Sequence, residues 1–214
     1  MKHGFFTVLT LFSLLVYSQK SFVYADFDHD GKKDKLYVLD CEQGFRLCYT
    51  LTSQKNKTIS SFLFNECEST SVELKNSIVV VSNYDIEHFY YHYKFEYISE
   101  LKQFRLIGID VKRVGNYPLD GPGTSSYNLL TGIYIAHWKQ FNEQKNKFES
   151  LPIIKRKTPI KVWLLNDYGN DMLWELAQID IATQPKCLRR NYRRQRFDTY
   201  LGRYYPEQKW VFEQ

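Results

Sequence analysis

Residues 86–98 read IEHFYYHYKFEYI, and the apolar side chains recur at every second position. Phe89, Tyr91, Tyr93, Phe95 and Tyr97 share one face, while His88, Tyr90, His92, Lys94 and Glu96 share the other. Successive side chains of a strand point to opposite faces, so this period of two predicts a half-buried strand and excludes an amphipathic helix. Such a strand needs partners along both edges, and the chain supplies one at once. Ser99 to Lys102 turns it, and Gln103 to Val111 (QFRLIGIDV) returns it. The expectation is an antiparallel sheet with one face on a core and one in water.

The rest of the sequence extends that pattern. Lys35 to Asp40 and Arg46 to Thr52 flank a turn at Gly44, and Thr58 to Phe64 follows a polar stretch. Val72 to Leu74 and Ser77 to Val81 flank Lys75-Asn76, a hairpin signal. IYIAHWKQF, from Ile133 to Phe141, alternates again and runs into a turn at Asn142 to Lys147. The 17 Tyr and 15 Phe favour strands over helices. Beyond Pro152, Ile160 to Leu165 (IKVWLL) reads as a buried strand and Asp171 to Ile179 as a short helix. No linker or repeat divides the chain. The fold expected is one mainly β domain over residues 19–214, with antiparallel strands in hairpins or a meander. It is sandwich- or propeller-like, with a minor helix near the C-terminus.

The first residues, MKHGFFTVLTLFSLLVYS, combine Lys2 with an apolar core from Phe5 to Tyr17. That is the pattern of a signal peptide over residues 1–18, shorter than a spanning helix needs. Export, and a periplasmic location, are expected. Cys41, Cys48, Cys67 and Cys187 lie outside the leader and form an even set, which in an oxidising compartment suggests two disulfides. Three pairings are open; one of them joins Cys41 to Cys48 across the Gly44 turn. The net charge is only +5, and basic and acidic side chains interleave over most of the length, so nucleic acid is not an expected partner. The tail CLRRNYRRQRF carries five arginines and reads as a solvated surface.

DFDHDGKKD, residues 26–34, places Asp26, Asp28, Asp30 and Asp34 at positions 1, 3, 5 and 9 of a loop with Gly31 at position 6. Four carboxylates this close repel one another unless a cation sits among them. Calcium takes six to eight hard oxygens, and alternate Asp side chains converge on one ion where Gly permits a sharp turn. The carbonyl of Lys32 would supply position 7. Tyr37 stands where an EF-hand has its closing Glu, and a strand follows rather than a helix. The loop therefore matches the DxDxDGxxD type of integrin-like β proteins, and its calcium is expected to be structural, adding folding free energy by linkage.

Between the strands ending at Val111 and beginning at Ile133, residues 112–131 read as a long loop. Gly121, Pro122 and Gly123 shape it, and Thr124, Ser125, Ser126, Tyr127 and Asn128 offer donors, acceptors and one aromatic anchor. The run GIDVKR…GPGTSSYNLLTG, after a hairpin and an N-terminal DxDxDGxxD loop, resembles a family of exported calcium-binding proteins of Gram-negative bacteria. Members resemble periplasmic lysozyme inhibitors and serve as immunity proteins against peptidoglycan-degrading toxins of contact-dependent secretion systems. The resemblance covers roughly residues 22–165. It implies a non-enzymatic inhibitor with an antiparallel β fold, its 120–132 loop blocking a muramidase-type cleft. Ser125, Ser126 and Tyr127 would insert and hydrogen-bond the catalytic carboxylates. The basic tail has no counterpart in that pattern.

Two other readings stand beside it. A calcium-stabilised module for a glycan or protein would use an exposed aromatic platform, for which the Tyr-rich strand is the candidate. A hydrolase would need paired carboxylates in a cleft, and Asp110, Asp120 and His137 show no spacing that demands it. His88 and His92 sit about 13 Å apart by strand rise, too far to share a metal.

Overall fold

A computed structural model of the chain describes residues 21–64, 68–84, 89–114, 121–183, 197–198 and 203–204. Residues 1–20, where the signal peptide is expected, Cys67, His88, Asp120, Cys187 and most of the basic tail lie outside the described residues.

Two antiparallel sheets and one helix share a core. The smaller sheet runs β1 (Ser21–Ala25), β2 (Asp34–Cys41), β3 (Gly44–Thr50) and β4 (Thr58–Ser60), in that spatial order. The larger sheet is built from β5 (Ser69–Lys75), β6 (Ile78–Tyr84), β7 (Phe89–Ile98), β8 (Gln103–Arg113), β9 (Gly123–Asn128), β10 (Ile133–Asn142) and β11 (Lys147–Ser150). Its neighbours follow the chain, as in a meander, and β12 (Ile154–Lys157) pairs with the far edge of β10 beside β11. Helix α1 (Asn170–Thr183) follows, and β13 (Phe197–Asp198) and β14 (Arg203–Tyr204) form a two-stranded ribbon. The sheets do not close into a barrel.

Local chemistry sets the turns. Asn76 and Ser77 both take positive φ (49° and 66°) between β5 and β6, the backbone that a two-residue hairpin requires. The β7–β8 ladder carries a bulge at Lys94/Phe95. There Leu106 turns its N–H to the Trp163 carbonyl at 2.8 Å, and Arg105 bridges Leu164. That single bridge is all the pairing in the IKVWLL stretch, which is not a buried strand. Ile160 and Val162 are exposed, and only Leu165 is buried. The segment meets the β8 edge only at Arg105 and Leu106, beyond the Gly108–Arg113 stretch that β9 covers. The strand expected over Thr58 to Phe64 is likewise reduced to β4 and a bridge from Phe64 to Phe45.

The inner faces meet in an aromatic core. Phe104 contacts Phe27, Tyr49 and Tyr97 edge-on, at centroid distances of 5.0, 5.2 and 5.3 Å, and so joins the two sheets. Tyr168 does the same for Phe64 and Tyr93. Met172, Leu173 and Leu176 of α1 close the end of this core. The predicted inward face of β7 holds: Phe89, Tyr93 and Phe95 are buried, and Tyr90 and Glu96 are exposed. The sheets also touch edge to edge, where Ser21 Oγ donates to the Val72 carbonyl and accepts from its N–H, at 3.1 and 2.8 Å.

Candidate functional site

The acidic loop connects β1 to β2, and the register Ala25↔Asp34 closes it. Gly31 and His29 both adopt positive φ (83° and 60°), which folds the loop back over its own carboxylates. Asp26 accepts from the N–H groups of Asp30 and Gly31, at 3.0 and 2.9 Å. Asp30 accepts from Lys32 N–H at 2.8 Å, and Asp28 from Asp30 N–H at 3.3 Å. Each acid thus orients the next.

Asp26, Asp28 and Asp34 bring one carboxylate oxygen each to within 4.8 Å of one another. Asp30 lies outside this trio, with its second oxygen held by Thr52 Oγ1 at 2.7 Å. Asp34 is buried and spans two segments. It accepts from Phe27 N–H at 3.0 Å, from Thr52 N–H at 2.8 Å and from Thr52 Oγ1 at 3.3 Å. Ser53 Oγ donates to Asp28. The single turn of 3₁₀ helix over Thr52–Gln54 therefore seals the acidic loop, a partner that nothing in DFDHDGKKD announces.

The field of the cluster reaches the core. Burial first, and then the charges of Asp28 and Asp34, push the Tyr97 phenol up. The Thr52 hydroxyl holds the Asp30 carboxyl below its ordinary range. The three carboxylates of Asp26, Asp28 and Asp34, oriented by backbone N–H and hydroxyl groups, stand close enough together to hold a metal ion.

The residues of the expected 112–131 loop stand differently. Residues 123–128 are β9, an interior strand paired with both β8 and β10. Ser125 and Tyr127 face the core and are 5% exposed, so neither can enter another protein's cleft as they stand. Tyr127 donates its hydroxyl to the Pro159 carbonyl. Thr124, Ser126 and Asn128 point to the open side. On that side Ser82, His92, Asp110, Ser126 and Ile135 are direct cross-strand neighbours. His92 Nδ1 lies 2.8 Å from Ser82 Oγ, and Asp110 accepts from Ser126 Oγ at 2.8 Å and pairs with Lys94 at 2.5 Å.

Outside β8 and β9, the described residues of that stretch are Val114, Gly121, Pro122 and the β9–β10 turn, and the turn is braced. Asn128 Oδ1 accepts from the N–H groups of Leu130 and Thr131, both at 3.0 Å. Gly132 N–H donates to the Asn128 carbonyl, and Thr158 N–H to the Gly132 carbonyl, each at 2.8 Å. Leu130 projects from the turn, 49% exposed.

Two further expectations change. Cys41 and Cys48 carry free thiols and do not bridge the hairpin. Cys41 pairs with Gly44 and Cys48 with Tyr37, so four rungs of ladder separate them. The aromatic face of β7 is spent on the core and offers no platform. Exposed rings occur instead on β1, where Phe22 and Tyr24 project outward. Among the described residues no helix is long and apolar enough to cross a membrane. No protein-family model, curated protein or solved structure matches the chain.

Proposed function

We propose that this chain is an exported, calcium-stabilised β protein that acts by binding rather than by catalysis, and that it inhibits a peptidoglycan hydrolase of the muramidase type. The reading rests on the GPGTSSYNLLTG resemblance and on one observation, the braced turn from Asn128 to Gly132. Its backbone groups are tied down by these bonds, so little entropy is lost when it docks. Leu130 at its tip supplies an apolar anchor, with Asn128 and Thr131 as polar flanks. This turn replaces Ser125 and Tyr127 as the inserting element, while Ser126 and Thr124 border it on the open face. Calcium at Asp26, Asp28 and Asp34 would fix β1 against β2 and take no part in inhibition.

The test is a turbidity assay of peptidoglycan hydrolysis by a panel of muramidases, with the mature protein and calcium present. A Leu130→Ala, Thr131→Ala variant, whose melting should be unchanged, runs beside it. Loss of inhibition in the variant supports both function and site. Inhibition that survives removes the turn from the proposal, and no inhibition of any enzyme overturns the function.

A further inference from the structure

The outer face of the smaller sheet carries features that inhibition leaves unused. Phe22 and Tyr24 of β1 are each 53% exposed, with ring centroids 5.5 Å apart and planes at 66°. Their cross-strand partners on β2 are Tyr37 and Lys35. Lys35 Nζ lies 5.6, 5.7 and 4.7 Å from the rings of Phe22, Tyr24 and Tyr37, a cation set among three aromatics. The next rungs add Thr58 and Ser60 of β4, both exposed. On the same face, further along β2 and β3, Leu39 and Arg46 line an open cavity of about 450 Å³ with Glu42 at its rim. Lys35, Tyr37, Leu39 and Cys41 all point outward, so rings and cavity form one track about 20 Å long by strand rise.

We propose that this track binds an extended glycan that bears carboxylates. The electron-rich ring faces suit the C–H faces of pyranoses, and the flanking hydroxyls suit sugar hydroxyls. Lys35 and Arg46 are the cationic side chains along the track, and cations suit the carboxylates of acidic sugars. A protein partner fits less well, because two exposed rings fall far short of the roughly 800 Å² per side that stable protein interfaces bury. The cavity is of the size that small ligands fill. The inference is independent of hydrolase inhibition, since it uses a different sheet and no residue of the β9–β10 turn.

Calorimetric titration of the full mature chain, in calcium and without any hydrolase, tests it. The probes are a galacturonate tetramer, soluble peptidoglycan glycan strands, a neutral N-acetylglucosamine tetramer and anionic lipid vesicles. The expected result is binding of the two carboxylated glycans in preference to the neutral one, whichever of the two binds more tightly. That binding should weaken about tenfold in Phe22→Ala, Tyr24→Ala and in Lys35→Gln. All three side chains reach the surface, and unchanged melting confirms that the variants are folded. Equal binding of neutral and acidic glycans, binding indifferent to the ring substitutions, binding to vesicles alone, or no binding to any probe overturns the proposal.

Discussion

Asp34→Ala separates what the acidic loop owes to hydrogen bonds from what it owes to an ion. In the wild type one buried carboxylate satisfies the N–H groups of Phe27 and Thr52. Truncation leaves both donors unpaired in a site that is closed to solvent, at about 1–3 kcal/mol each, so a loss of roughly 2–6 kcal/mol is expected even without calcium. Calcium adds a second effect. At a hundredfold excess over Kd, an ion that binds only the folded state contributes about 2.7 kcal/mol. For a domain of this size that is a rise in midpoint of roughly 5–11 °C. Thermal unfolding followed by circular dichroism, in calcium and in chelator, reads both. The wild type should show the calcium shift, whereas the variant should start lower and show none. A wild type indifferent to calcium, beside a variant destabilised by the hydrogen-bond amount, would sink the metal site and leave an aspartate-stapled turn. A variant that keeps the full shift would show that Asp34 is no ligand.

Other consequences are equally direct. Tyr49 is fully buried, and its hydroxyl has no hydrogen-bond partner among the described residues. Tyr49→Phe should therefore stabilise the protein by about 1 kcal/mol in urea denaturation at neutral pH, and an unchanged or lower midpoint would contradict this. Burial, and then the neighbouring Tyr97, push the Tyr49 pKa up to about 12. The folded state thus keeps its proton after the unfolded chain loses one near pH 10, so stability falls as pH rises through that window. Tyr49→Phe should lose less stability than the wild type between neutral pH and pH 11. Peptide mapping of the oxidised protein should find no bridge between Cys41 and Cys48, since four rungs hold them apart; finding one would mean that the β2–β3 register is wrong.

The β7–β8 hairpin was readable because its signal is local. Alternation over ten residues names both the strand and its buried face, and the turn follows at once. The acidic loop was half readable for a similar reason. Its acids and Gly31 lie within nine residues, but Thr52 and Ser53, which close it, come 18 or more positions later. β9 was misread because Gly, Thr and Ser are turn formers. In the sheet they serve packing: a Cβ at position 123 would fall on the Trp138 ring and 2.9 Å from the His137 carbonyl oxygen, so only Gly lets that indole lie flat across the ladder. The exposed rings of β1 carry no signal in the sequence, because a short SFVYA directly after an apolar N-terminal stretch has no pattern of its own.

Open antiparallel sheets carry a hazard, since an unpaired edge is a template for another chain's strand. Both ends of the larger sheet are blunted. At one end Ser21 occupies the N–H and carbonyl of Val72 with a single hydroxyl, covering the middle of β5. At the other, β10 is flanked end to end by two strands of four residues each, interrupted at Pro152, and the second of these carries Lys155, Arg156 and Lys157. A second copy approaching either edge meets a plugged ladder or a row of like charge. The polar face of the larger sheet can therefore remain open to water without its edges seeding fibres.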